Sequence, residues 1–130
     1  MAFLDDIKGR IDALALAGYT VKAGSMSATP DLLVAVYEYG GNPPNLGFGT
    51  AGIKYAHPGL NVKVRGAADD YAGPRAIAEL IWLDLPKVQG VTLGGTAVQL
   101  IKPSGSVALF ERDGNRRCVF NFNMIVDKTQ

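Results

Sequence analysis

Residues 117–126 place an apolar side chain at every second position from Cys118 onward, and this period of two constrains the fold more than any other feature of the sequence. One side of the alternation carries Cys118, Phe120, Phe122, Met124 and Val126, and the other carries Asn121 and Asn123. Such a pattern is typical of a β-strand that buries one face and exposes the other. Residues 109–112 and an Asp113-Gly114 turn precede it, so the sequence predicts a β-hairpin.

A second hairpin is predicted where residues 88–93 and 96–101 flank Gly94-Gly95, a dipeptide that accepts the positive φ of a tight turn. Residues 32–39 are nearly continuously apolar and rich in Val and Tyr, which is typical of a central strand or of one covered on both faces. Shorter strands are predicted at residues 19–22, 53–57 and 60–65, the last two on either side of a His57-Pro58-Gly59 turn.

Two helices are predicted from apolar residues at three- and four-residue steps. The first covers residues 4–17 and ends at Gly18, and the second covers residues 71–85, after Asp69 and Asp70 as caps. The order of helix, strands, helix, strands predicts an α+β fold, with a largely antiparallel mixed sheet and two helices packed on it. A length of 130 residues is that of a single domain, which is predicted over residues 1–130.

Charge and composition exclude several classes of protein. The 13 basic and 12 acidic residues leave a net charge of +1, far from the basic excess of a dedicated nucleic-acid binder. One cysteine, Cys118, cannot form an intrachain disulfide or a multi-thiolate zinc site, and it is predicted as a buried thiol. Charged residues interrupt the N-terminal apolar run and no segment is long enough to span a membrane, so a soluble, intracellular protein is expected.

No pattern in the sequence points to catalysis, a cofactor or a metal. Residues 47–52 match G-x-G-x-x-G, but a dinucleotide site needs a strand directly before the glycines and a helix directly after them. Pro43 and Pro44 precede this match instead, which predicts a loop. His57 is the single histidine and is predicted in a turn, while each pair of adjacent aspartates is read as a helix start. The sequence therefore predicts a protein that is not an enzyme, and protein assembly becomes the leading class.

Two segments are predicted as assembly surfaces. The strand at residues 34–39 runs into Gly-Gly and Pro-Pro, which we expect to end the strand and to hold residues 40–46 outward as a rigid loop. The second segment is the arginine-rich tip of the predicted hairpin around Asp113, where guanidinium groups can pair with carboxylates of a partner. The candidate interface residues are Tyr39, Gly40, Gly41, Asn42, Pro43, Pro44, Arg112, Asp113, Arg116 and Arg117.

A nucleic-acid-binding module is the alternative from a different class. It would use a phosphate-facing patch of five basic residues, namely Lys63, Arg65, Arg112, Arg116 and Arg117.

Four motifs follow one another along the chain: VAVYEYGGNPPNL (34–46), HPGLNVKVRG (57–66), YAGPRAIAELIWLDL (71–85) and ERDGNRRCVFNFNMIV (111–126). In this order they resemble the minor capsid proteins of tailed bacteriophages that are similar to tail terminator proteins. The resemblance covers about three quarters of the chain, from Leu32 onward. The succession of Tyr-Glu-Tyr-Gly-Gly, Val-x-Val-Arg-Gly and Asp-Gly-x-Arg-Arg is more specific than any one of these motifs.

The resemblance implies a structural virion protein of the tail or neck, assembled in the cytoplasm of a bacterial host. Its subunits form a ring, typically a hexamer, at the head-proximal end of the tail tube, where the ring ends tube polymerisation and joins tail to head. The implied partners are further copies of the chain, the tail tube protein and a head connector or head-closure protein, with DNA only as a passenger through the lumen. No cofactor and no membrane are implied. Another neck component, a head-closure or connector protein, is the nearest alternative.

Overall fold

Seven strands and two helices make up the computed structural model, which describes residues 2–16, 18–46, 53–93 and 96–129. The elements in chain order are α1 (Ala2–Asp12), β1 (Thr20–Ala23), β2 (Leu33–Leu46), β3 (Ile53–Ala68), α2 (Ala72–Asp84), a 3₁₀ turn (Leu85–Lys87), β4 (Gln89–Leu93), β5 (Thr96–Pro103), β6 (Ala108–Arg112) and β7 (Arg117–Thr129). Residues 47–52, with the G-x-G-x-x-G match, and Gly94-Gly95 lie outside the described residues.

The strands form one mixed sheet in the order β1-β2-β3-β7-β5-β4, and β6 pairs with the first part of β7. β1 pairs with β2 in parallel, and every other described pair is antiparallel. Two hairpins are present as predicted, β4–β5 and β6–β7. The α+β fold with a largely antiparallel sheet and two helices is thereby confirmed.

Both helices pack on the same face of the sheet, where each central strand contributes apolar side chains to one core. In β7 the five apolar side chains of the alternation are buried as predicted, while Asn123 on the opposite face is exposed. The helices supply Ile7 and Ile11 of α1 and Ala78 and Ile81 of α2 to this core. The remaining core side chains on the same face are Val34, Val36, Leu60, Val62, Val64, Val98 and Ile101.

The helix ends differ from the sequence prediction at α1. The helix stops at Asp12 rather than at Ala17, which lies outside the described residues. Leu14 and Ala15 donate to carbonyls three residues back, and Ala15 has a φ of 52°, so the chain tightens and turns before Gly18. α2 spans Ala72–Asp84, close to the predicted residues, and continues as the 3₁₀ turn that contains Pro86. Neither described helix is long and apolar enough to cross a membrane.

The Gly-Gly-Pro-Pro corner was predicted wrongly as the end of a strand. β2 continues through it to Leu46 and pairs with β3, which itself is one strand rather than two around a turn at His57. Tyr39 faces Gly59 and Asn42 faces His57, so two glycines of β2 lie opposite Pro58 alone. This is a β-bulge, and it accepts Pro58 in a paired strand because the ladder is interrupted there.

We expect Gly66→Ala to destabilise the protein, because a β-carbon at this buried position would lie 2.6 Å from Cγ and 2.7 Å from Cδ of Pro74 in the first turn of α2. Overpacking of this kind costs about 1–3 kcal/mol in the free energy of unfolding. Urea denaturation measures it. Gly40→Ala is the matched control, since a β-carbon there has open space; equal losses for the two variants would contradict the packing of α2 on β3 through Gly66.

Candidate functional site

One candidate surface is the distal hairpin, defined as residues 39–46 of β2 and 53–59 of β3. It contains the predicted interface residues Tyr39, Gly40, Gly41, Asn42 and Pro43, which are all exposed, and the backbone of Pro44. These residues belong to a paired strand and not to a free loop. The distal hairpin therefore presents its residues from a fixed extension of the sheet.

Close packing sets the shape of the distal hairpin. Gly41 has a φ of 65°, and a β-carbon there would overlap the backbone of His57, Pro58 and Gly59. The ring of Tyr39 lies over Gly59, its partner across the strands, and fills the space that a side chain there would need. Gly41 and Gly59 are thus required by the fold, whereas the side chains of Asn42 and Pro43 are exposed and available for contacts.

His57 is not in a turn, as the sequence predicted, but in β3 at the base of the distal hairpin. Its Nδ1 lies 2.6 Å from Oδ1 of Asp127 on β7, and Nζ of Lys102 on β5 lies 3.8 Å from the other oxygen of Asp127. These partners join three neighbouring strands. The single histidine therefore ties the distal hairpin to the body of the sheet.

The second candidate surface is the arginine turn, residues 112–117 between β6 and β7. Oδ1 of Asp113 accepts hydrogen bonds from the backbone N–H groups of Asn115 and Arg117, both at 3.0 Å. Arg116 has a φ of 60°, and its carbonyl accepts a hydrogen bond from the N–H of Asp69. Asp113 is thus the residue that shapes this turn and is not free for a partner.

Arg117 is buried, which corrects its prediction as an interface residue at the hairpin tip: only 5% of it is exposed. Its Nε donates to Oδ2 of Asp113 at 2.8 Å, and its Nη1 donates to Oδ1 of Asp31 at 2.9 Å and to the carbonyl of Ala28 at 2.7 Å. Arg65, 3% exposed, donates in the same region to the carbonyls of Pro30 and Asp31. Both guanidinium groups hold the segment of residues 28–31 against the sheet.

The electrostatics of this buried cluster follow from its contacts. Burial, together with the positive charge of Arg117, lowers the pKa of Arg65 below its ordinary value. Burial would by itself raise the pKa of Asp113, but the two backbone N–H donors and the Arg117 guanidinium outweigh it, so the pKa of Asp113 lies below its usual 3.8. Burial likewise opposes the charge of Arg117, and its two carboxylate partners reverse that effect and raise its pKa.

The five basic residues proposed for phosphate binding are not brought together as one exposed patch. Arg65 and Arg117 are buried, and Nζ of Lys63 lies over two aromatic rings, 4.2 Å from the centroid of Phe110 and 5.2 Å from that of Tyr37. Arg112 and Arg116 are more than half exposed and lie near Asp69, at 3.9 and 3.5 Å. Such surface pairs contribute little to stability, so these two arginines are the members of the arginine turn available to a partner.

The two candidate surfaces lie at opposite ends of the sheet. In β3, Ala68 at one end pairs with Arg117 of the arginine turn, and Gly59 at the other end pairs with Tyr39 of the distal hairpin. Nine residue steps lead from Gly59 to Ala68, or about 30 Å at roughly 3.3 Å per residue. The sequence pattern did not place these segments relative to one another, because that depends on which strands pair.

Sequence reasoning missed a third surface, the β6 surface, defined as Tyr71, Leu83, Leu109 and Phe110. Each of these side chains is about half exposed or more. The ring of Tyr71 packs edge-on against Phe120 at a centroid distance of 5.0 Å, and Leu109 faces Phe120 across the strands. A groove of about 350 Å³ between α2 and the segment before β6 continues this surface, lined by Arg75, Glu79, Trp82, Leu83, Ser106 and Val107. The available signal was Leu83, an apolar residue of α2 that does not belong to its buried stripe.

Among residues 2–16, 18–46, 53–93 and 96–129, no three side chains of His, Cys, Asp or Glu are grouped so that they could hold a metal ion. Cys118 is buried and free, as predicted. Neither models of protein families nor curated proteins match this chain.

Replacing Arg117 by Met should lower the free energy of unfolding by about 1–3 kcal/mol, because it removes the charge-assisted hydrogen bonds that Asp31 and Asp113 accept from the buried guanidinium group. Chemical denaturation measures the loss. Arg116→Met, at an exposed position of the same turn, should change stability by no more than about 0.5 kcal/mol. Equal effects of the two substitutions would show that Arg117 does not hold the turn.

Asp113 should make stability depend on acid pH. Its folded pKa is lower than its unfolded pKa, so its contribution is fully present above the unfolded value of 3.8 and is lost as the pH falls through the folded pKa. Denaturation midpoints of wild type and Asp113→Asn, measured between neutral and acid pH, should converge as the pH falls. A difference that stays constant or widens in acid would contradict this role of Asp113.

Proposed function

We propose that the protein is a structural component of the tail or neck of a tailed bacteriophage, most closely a tail terminator that forms a ring at the head-proximal end of the tail tube. The ring ends polymerisation of the tube and presents its other side to the head connector. The order of the four sequence motifs carries this proposal, and the exposed positions of the first and last motifs at opposite ends of one sheet support it.

Two separate ends are what such a role needs. A closed ring between a tube and a connector has two different sides, and its subunits are joined by heterologous contacts that close by rotation. In the proposed ring, the distal hairpin meets one neighbouring structure and the exposed Arg112 and Arg116 of the arginine turn meet the other. Neither end needs a reactive side chain for this.

The direct test is to mix the purified protein with purified tail tube protein and to image the tubes by electron microscopy. A ring at one end of each tube, together with tubes that stop growing, is the expected result. Free protein that never associates with tubes would remove the proposal. A normal tube length in phages that lack the gene, with heads unattached, would favour the alternative of a head-closure or connector protein.

The nucleic-acid-binding alternative has less support, because two of its five basic residues are buried and paired. Phosphate contacts make affinity fall steeply with salt concentration. The assay measures retention of the protein on DNA at low salt, for the wild type and for the double variant Arg112→Gln with Arg116→Gln. Weak retention that is the same for both proteins would exclude the nucleic-acid-binding alternative.

Substitutions at the two ends should affect different steps of assembly. We expect Asn42→Glu in the distal hairpin and Arg116→Glu in the arginine turn each to impair one junction, because both side chains are exposed and each lies at its own end. Complementation of a phage lacking the gene should give overlong tails with one variant and normal tails without heads with the other. Lys8→Gln, on the exposed side of α1, is the control and should restore normal particles. The same defect from both variants would contradict the assignment of the two ends.

A further inference from the structure

The sheet has an unpaired outer strand beside the β6 surface. At the level of β6, the sheet consists of β1, β2, β3, β7 and β6, so β1 and β6 are its two edges there. All five residues of β6 are exposed, and no described strand pairs with its outer side. Unpaired N–H and C=O groups along an edge strand form a template for a further strand.

Apolar side chains flank this edge on both faces of the sheet. Leu109 shares the face that carries the helices, because it faces the buried Phe120, while Phe110 lies over Lys63 on the opposite face. The two side chains are 47% and 50% exposed. No proline interrupts β6. A strand added beside β6 would therefore be covered from both sides by Leu109 and Phe110. The pairing of β6 with β7 shifts register between Leu109 and Glu111, and the charged residues Glu111 and Arg112 form the C-terminal end of β6.

Strand direction indicates which strand fits there. β7 is antiparallel to β6 and to β3, β3 is antiparallel to β2, and β1 is parallel to β2. β6 and β1 therefore run in opposite directions at the two edges. Rotating a second copy about an axis along the strands places its β1 beside β6 in antiparallel orientation, as in most pairs of this sheet.

Register and charge also match across this contact. One row of paired residues crosses the sheet from Thr20 of β1 through Leu33, Arg65 and Val119 to Glu111 of β6. Lys22, two residues further along β1, lies on the same face as Thr20 and Glu111. In an antiparallel pairing, Glu111 of one copy and Lys22 of the next become diagonal neighbours of opposite charge.

We propose that β6 of one copy pairs with β1 of the next, so that the sheet continues around a ring of identical subunits. The occupant of the β6 edge is a second copy of this chain, and the contact is heterologous, as a closed ring requires. This inference rests on the proposed ring and names the surfaces that join its subunits.

The other edge at β4 fits this role less well. In a ring built by the same rotation, β2 of the neighbouring copy would lie beside β4. β4 and β2 run in the same direction, so this contact would have to be parallel. Gly90 within β4 also has a φ of 61°, which departs from extended geometry. β4 therefore supplies a matched control position for β6.

Cysteine cross-linking tests the register. The variant Thr20→Cys with Glu111→Cys should form a disulfide ladder up to a closed ring after mild oxidation, seen on a non-reducing gel, because opposed strand residues meet the geometry of a disulfide. Each single variant should stay monomeric on the gel, since Cys118 is buried. Disulfide-linked dimers of the single variant Glu111→Cys would show a two-fold β6–β6 contact and overturn the proposal. The proposal would also be overturned if the double variant formed rings but its cysteines did not cross-link.

A charged edge provides an independent measurement. Leu109→Lys should weaken self-association at least about ten-fold, which corresponds to about 1.4 kcal/mol, whereas Val91→Lys on β4, at a similar 45% exposure, should not. Sedimentation velocity measures association and circular dichroism checks folding; unchanged association of a folded Leu109→Lys would overturn the proposal. Rings joined in this way that fail to cap tubes would contradict the proposed function alone, and capped tubes without the cross-link would contradict this contact alone.

Discussion

The antiparallel pairing of β3 with β7 at the centre of the sheet is the interaction on which the rest of the structure depends. The two strands face one another from Tyr55 and Thr129 at the distal end to Ala68 and Arg117 at the other. β2 attaches to the outer side of β3, and β5 and β6 share the outer side of β7. Since α2 packs on this pair and α1 on the strands around it, both helices are positioned by the same sheet. The two candidate ends are separated because they lie at the two ends of this pair.

The charged groups near the arginine turn divide into two kinds with different roles. Arg117 and Arg65 are buried, and they stabilise the fold because carbonyls and carboxylates of a distant segment accept their hydrogen bonds. Arg112 and Arg116 are more than half exposed and form only weak pairs with Asp69, and Nη2 of Arg112 also donates to Sγ of Cys118 at 3.6 Å. The buried arginines therefore fix the backbone of the turn, and a partner would contact the exposed side chains of Arg112 and Arg116.

The distal hairpin combines rigidity and exposure in another way. Bulges, the close approach at Gly41 and the contact of Tyr39 with Gly59 determine its backbone, while the side chains of Asn42 and Pro43 are exposed. An extension with a fixed shape loses little conformational entropy on binding, which favours assembly. The proposed contact between β6 and β1 follows the same logic, since both strands are already paired within the sheet.

The sequence by itself determined the elements whose signal is local. The alternation in β7, the two hairpins and the apolar stripes of the helices all come from neighbouring residues, and the order of these elements was enough to predict the α+β fold. Only the tertiary structure decided what the corner after Tyr39 becomes, because a bulge that sets Gly40 and Gly41 of β2 opposite Pro58 of β3 lets the two strands continue pairing beyond it. It also decided that Arg117 is buried, since Asp31, 86 residues away, supplies its partner. Burial of a charge depends on where distant acceptors lie, and local periodicity does not encode that.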